Sequence, residues 1–267
     1  MISARVSTLA TLRKALVRLE TTRSPEAGRV RLGHDEADMV LQGGLACAAL
    51  HEVFAEGRFS ATATGFVASV ARRIADHRAI LWIRQDFAAR QAGDLAMTGF
   101  AELGLDPRRI VVVFAKNAEM ALRIAADGVA CRGVGVVVAE IWGETKAFDL
   151  VASRKLTLAC SESGVTCLML RLAATPRAST AETRWVVSAA PSPSVAEWEA
   201  WGEPVFNVQL VRNRHGSTGQ WIMKWVCDEC IFSESAIRQS PAHSQSLVAS
   251  FTDRPDQTFA YARRQAG

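Results

Sequence analysis

From about residue 40 to residue 171, short β-branched runs alternate with stretches of helical spacing, and this alternation restricts the possible folds more than any other feature of the chain. The runs lie at 50–54, 80–83, 110–114, 134–141 and 165–170. Between them, Phe66, Val70 and Ile74 share one helical face, and helices are expected over 88–103, 117–130 and 146–163. Short strands separated by helices imply βαβ units and a mostly parallel sheet with helices on its faces. The crossovers of such units are right-handed. After residue 171 the pattern changes. Runs at 184–188, 205–211 and 220–226 follow one another without long helices, and Asn213, Arg214, His215 and Gly216 read as the turn of a hairpin. The expected fold is α/β: a mostly parallel sheet flanked by helices and extended by antiparallel strands.

The two ends of the chain read differently from this centre. Over residues 7–20, Leu9, Leu12, Leu16 and Leu19 fall at helical spacing, with Arg13, Lys14 and Arg18 off that line. Such a helix either packs on its own domain or docks on a partner. Ser24-Pro25 and Gly28 break the pattern and give a linker to residue 33. Residues 233–267 have no sustained period and read as a flexible tail, in which the isolated Phe251, Phe259 and Tyr261 are candidate anchors for a partner. The expected organisation is therefore an N-terminal helix and linker over 1–33, a core over 34–232, and the tail.

Charge and cysteines exclude several classes. The net charge is +4, and residues 1–31 hold seven basic and two acidic residues. The basic excess is thus confined to the N-terminal segment, and the remainder carries no field that would hold a nucleic acid without local clustering. The longest apolar run, near Val134 to Trp142, contains Gly135 and Glu140 and is too short for a membrane span. The basic residues among the first leucines argue against a secretory signal, so a cytoplasmic, nucleoid-associated protein is expected. Cys47, Cys131, Cys160 and Cys167 sit in apolar or small-residue stretches. Cys227 and Cys230 form a CxxC pair with no second pair to complete a zinc site. No metal or cofactor is expected. His34, His51, His77, His215 and His243 have no motif context and read as structural or exposed.

The first strand, His51-Glu52-Val53-Phe54, follows Gly43-Gly44-Leu45 and runs into an eight-residue loop and a helix. That is the place of a phosphate-binding loop. Such a loop needs glycine at both ends to let backbone N–H groups wrap the phosphates, a lysine for the β and γ phosphates, and a Ser or Thr for Mg²⁺. Here Ala55 and Ser60 stand for the glycines and Ala61 for the lysine, and Thr62 remains. Arg58 is the one cation in the loop. Ala139 occupies the place of the Mg²⁺-linked aspartate, with Glu140 beside it. Asp86 occupies the place of a water-activating carboxylate and reads better as a solvated loop residue.

These elements resemble the core of the RecA recombinase, from the Gly-Gly-Leu and the Glu-bearing strand to the late basic run Val208 to Arg214. A RecA-like core with a degenerate loop, an N-terminal helix and an aromatic tail is similar to the ImuA (inducible mutagenesis protein A) family. The stretch from Gly135 to Gly143, the run Thr183 to Val187 and Pro191-Ser-Pro carry this resemblance, which spans about residues 35–230. It implies a non-catalytic accessory protein of SOS-induced mutagenic translesion DNA synthesis. The implied partners are a polymerase-like ImuB protein and an error-prone DnaE-type polymerase, with RecA or a second copy as further candidates. It also implies a contact with single-stranded DNA through the loop from Arg171 to Arg184, where Arg171, Arg177 and Arg184 are the candidate phosphate partners and no aromatic residue is present for stacking. The alternatives are a divergent RecA-type DNA-dependent ATPase or recombinase, and a RecA-fold regulator such as a division inhibitor.

Overall fold

The computed structural model describes residues 28–55, 60–193 and 202–235. Its centre is a nine-stranded sheet built from β3 (Leu50–Ala55), β4 (Ala79–Gln85), β5 (Ile110–Ala115), β6 (Val134–Trp142), β7 (Thr166–Leu172), β8 (Thr183–Ala189), β9 (Val205–Asn213), β10 (Gly219–Val226) and β11 (Ile231–Glu234). The strand order is β11-β10-β9-β8-β3-β7-β6-β4-β5. Every pairing from β8 to β5 is parallel. The pairings β8–β9, β9–β10 and β10–β11 are antiparallel. The expected α/β class, with antiparallel strands extending a parallel sheet, is what the chain forms, and Asn213 to Gly216 lies in the β9–β10 hairpin connection.

Helices α2 (Ser60–Ala75), α3 (Asp86–Ala92) and α4 (Met97–Glu102) lie on one face; α5 (Ala118–Ala130) and α6 (Leu150–Ser163) lie on the other. The sheet is buried on both faces, which is why its central strands read as continuous apolar runs rather than as alternating ones. In β7 and β3 every residue is buried. On the α2 side, Phe66, Val67 and Val70 meet Val53, Leu168 and Trp185. On the α5–α6 side, Leu156, Cys160 and Ala125 meet Val137, Cys167 and Met169. Local sequence sets the helix ends. The Asn117 side chain accepts from the Met120 N–H at 2.9 Å and Asp149 from the Ala152 N–H at 2.7 Å, both N-caps. Gly164, with φ of 81°, closes α6 in the left-handed conformation.

Three departures from the sequence reading have clear causes. The stretch 88–103 is two helices, because Gly93 adopts a φ of 76° between them. Regular structure begins inside the presumed linker. β1 (Arg29–Val30) pairs with β2 (Leu45–Ala46), α1 (Asp35–Val40) follows, and Leu32 is buried. Gly44 permits this, since a Cβ there would lie 2.4 Å from the Val30 carbonyl oxygen. The strand β11 runs to Glu234, past the presumed start of the tail. Its Phe232 is fully buried against Phe66, Phe206 and Trp225, and its N–H donates to the Leu32 carbonyl at 2.9 Å. Among the described residues no helix is long and apolar enough to cross a membrane.

Candidate functional site

The loop that would cradle a phosphate joins α2 to the carboxyl end of β3, the middle strand of the nine, which lies between β7 and β8. Of the loop, Glu56 to Phe59, including Arg58, lie outside the described residues. At its margins, Ala55 ends the buried strand, Ser60 opens the helix, the Ala61 methyl is exposed and Thr62 is half-buried. No cationic side chain stands at position 61, where the β and γ phosphates would need one. A groove of about 250 Å³ runs from Ser60, Ala61 and Thr64 to Leu95 and Phe100 of the opposite wall, with Arg84 among its lining residues.

The acidic side of this place is filled from within the protein. Ala139 turns toward the α5–α6 layer, while Glu140 turns toward the α2 layer and is fully buried. Glu140 sits opposite Arg84 in the β4–β6 register. Arg84 Nε donates to Glu140 Oε2 at 2.9 Å, and Arg84 Nη2 donates to Oε1 at 2.8 Å. Trp82 Nε1 adds a third donor to Oε2 at 3.0 Å. The remaining guanidinium nitrogen, Nη1, donates to the Gly93 carbonyl at 2.8 Å. Both carboxylate oxygens are thus committed to a bidentate pair and an indole, the arrangement that offsets the cost of burying two charges. Asp86 is half-buried in the first turn of α3, where a carboxylate complements the helix dipole.

A second buried pair lies on the other face. Arg184 Nε donates to Glu52 Oε2 at 2.8 Å and Arg184 Nη2 to Ser179 Oγ at 2.8 Å, while Ser179 Oγ donates to Glu52 Oε2 at 2.7 Å. Arg171 lies over the rings of Phe54 and Phe148, at 5.8 and 5.4 Å from their centroids, and donates to the Gly143 carbonyl at 3.2 Å. Its Nε is buried without a hydrogen-bond partner, and desolvation lowers its pKa. Arg177 pairs with Glu144 at 3.1 Å. Hydrogen bonds from the Thr175 side chain and backbone hold the Glu144 carboxyl below its usual range.

The structure therefore brings Arg171, Arg177 and Arg184 near one another but turns Arg171 and Arg184 inward, which leaves Arg177 as the solvent-facing guanidinium of the three. The loop between β7 and β8 is also tied down by its small hydroxyl residues. Thr175 bonds Glu144, Ser179 bonds Glu52, Thr180 bonds Ser153, and Arg212 Nη1 donates to the Ser179 carbonyl at 2.6 Å. Leu9, Leu12, Leu16, Leu19, Phe251, Phe259 and Tyr261 lie outside the described residues. Of the cysteines, Cys160 and Cys167 are core residues, whereas Cys131 is exposed. Among the described residues no group of three His, Cys, Asp or Glu side chains could hold a metal ion.

Sequence reasoning missed the role of Arg84. The available signal was an arginine in phase with Trp82 on an apolar strand, matched by Glu140 in phase with Val138 on another.

No known protein-family model matches the chain. Two curated relatives do, both named Protein ImuA, from Caulobacter vibrioides strain NA1000 / CB15N and from strain ATCC 19089 / CIP 103742 / CB 15. Each is 32% identical over 197 residues, covering 68% of this chain and 77% of the relative. The chain belongs to the ImuA family. In this ImuA-family chain the Arg84–Glu140 pair is buried and Ala61 stands at the head of α2.

Proposed function

We propose that this ImuA-family protein has a RecA-like core without nucleotide chemistry and serves as a non-catalytic accessory factor of SOS-induced mutagenic translesion DNA synthesis. In this reading it assembles with a polymerase-like ImuB protein and an error-prone DnaE-type polymerase. The strand-loop-helix unit of β3 and α2, on a strand with a parallel neighbour on each side, supports the RecA-like assignment. One observation carries the functional reading: Ala61 stands in the lysine's place, while both oxygens of Glu140, the residue after Ala139 in the chain, are held by Arg84 and Trp82. A site that has exchanged its phosphate and metal ligands for internal contacts has kept the fold as a scaffold.

Co-expression with an ImuB-type protein and a DnaE-type polymerase, followed by size-exclusion chromatography, tests the assembly. The three should co-elute, and deletion of the gene should lower damage-induced mutation without lowering survival of undamaged cells. A protein that hydrolyses ATP on single-stranded DNA and binds neither partner would instead be a recombinase-type enzyme.

A further inference from the structure

The two margins of the nine-stranded sheet are unlike each other. β11 is four residues long and carries Ser233 and Glu234. β5 is six residues long, reads Ile-Val-Val-Val-Phe-Ala, and contains no charge, proline or glycine. Among the described residues β5 pairs with β4 alone, so its outer row of backbone N–H and C=O groups faces away from the sheet. Its side chains are not fully covered on either face. Val111 is 51% exposed and Phe114 is 55% exposed, and they point to opposite sides of the sheet. Native sheets protect such edges with short strands, charges, prolines or bulges. β5 has none of these, and its register against β4 is uninterrupted.

The ends of the strand are basic. Arg108 and Arg109 precede it, and they share one carboxylate. Asp106 accepts from Arg108 Nε at 3.0 Å and lies 3.7 Å from Arg109 Nε. Lys116 follows the strand, is exposed, and has no ion pair among the described residues. This charge pattern selects the occupant. If two copies paired antiparallel with all six residues in register, Arg109 would stand opposite Lys116 at both ends, and like charges directly opposite destabilise a strand pair.

We propose that the outer edge of β5 is a strand-addition site for an extended segment of a different protein, apolar over about six residues and carrying a carboxylate at each end. Main-chain hydrogen bonds continue the sheet by one strand, Val111 and Phe114 gain cover on opposite faces, and the terminal carboxylates meet Arg109 and Lys116. The inference goes beyond the assembly reading, because it specifies the chemistry of the bound segment and requires no named partner.

The full-length protein should be titrated with a synthetic peptide of six alternating Val and Ala residues flanked by Glu, and with the same peptide flanked by Lys. Backbone hydrogen exchange over residues 110–115 should slow with the Glu-flanked peptide. The Lys-flanked peptide should bind more weakly by roughly fivefold or more, since two opposite-charge pairs become like-charge pairs. A variant carrying V111K and F114K, with an unchanged circular dichroism spectrum, should lose the protection. No protection at millimolar peptide, or equal binding of the two peptides, overturns the proposal without any variant being needed. Self-association that V111K abolishes would also overturn it, by making a second copy the occupant. Partner capture that survives V111K and F114K would sink this inference alone and leave the assembly reading standing.

Discussion

Arg84 and Glu140 face each other across β4 and β6 as a bidentate pair, at 2.9 and 2.8 Å, with both side chains buried. Trp82 Nε1 completes the set at 3.0 Å from Glu140 Oε2, so both carboxylate oxygens are held from within the protein.

Removing one member of this pair strands a buried charge. R84A or E140A should destabilise the protein by about 3–5 kcal/mol, whereas the apolar double variant R84M with E140L should recover most of that loss. Urea unfolding of the three variants checks this. A single variant as stable as the parent would mean that the pair is hydrated and open to an outside ligand.

His51 gives the protein an acid-sensitive point in its core. Its Nε2 faces the Ala46 carbonyl at 2.8 Å, which fixes the proton on that nitrogen. Its Nδ1 then accepts from the Thr183 hydroxyl at 2.7 Å, and Thr183 Oγ1 accepts from Trp185 Nε1 at 2.8 Å. Burial is the main cause that lowers the imidazole pKa from 6.5 to about 4. The unfolded chain thus takes up a proton near 6.5 that the native protein refuses until about 4. The stability is fully present above the higher value and falls as pH descends through that window, by up to about 3 kcal/mol. Unfolding free energies measured across the window should show this slope, and H51Q should flatten it relative to the parent. An identical slope in the variant would place the titration elsewhere.

DNA binding through the β7–β8 loop needs a discriminating variant. R184A leaves Glu52 buried without its cation, so it should cost about 3 kcal/mol or more in stability, and any loss of binding would be ambiguous. R177A removes an exposed guanidinium whose pairing with Glu144 is worth at most about 1 kcal/mol. If this loop holds single-stranded DNA, R177A should weaken binding in fluorescence anisotropy at low salt while leaving the melting temperature unchanged. Unaltered affinity would move the contact away from this loop, with the basic residues of the N-terminal segment the next to be substituted.

The layered architecture was legible because a strand covered on both faces is mostly apolar, and β6 and β7 announce themselves as such runs. The strand-loop-helix order around the β3–α2 loop was legible too, since β3 and α2 stand where the strand and helix patterns put them. The ion pairs were not. Arg84, Arg171 and Arg184 stand in segments where an arginine reads as a surface cation, and their burial depends on strand order, which places Glu140 and Glu52 beside them from far along the chain. The same long-range pairing hid β1 and β11. Leu32 and Phe232 occupy stretches of mixed polarity that become structured because they bond each other and close over Phe66.

Calorimetric titration of the full-length protein with Mg-ATP tests the central claim most directly. The account predicts no heat of binding up to millimolar nucleotide, because no lysine stands at position 61 and Glu140 is held by Arg84 and Trp82. Saturable binding at micromolar nucleotide, or ATP hydrolysis that D86A abolishes, would contradict it.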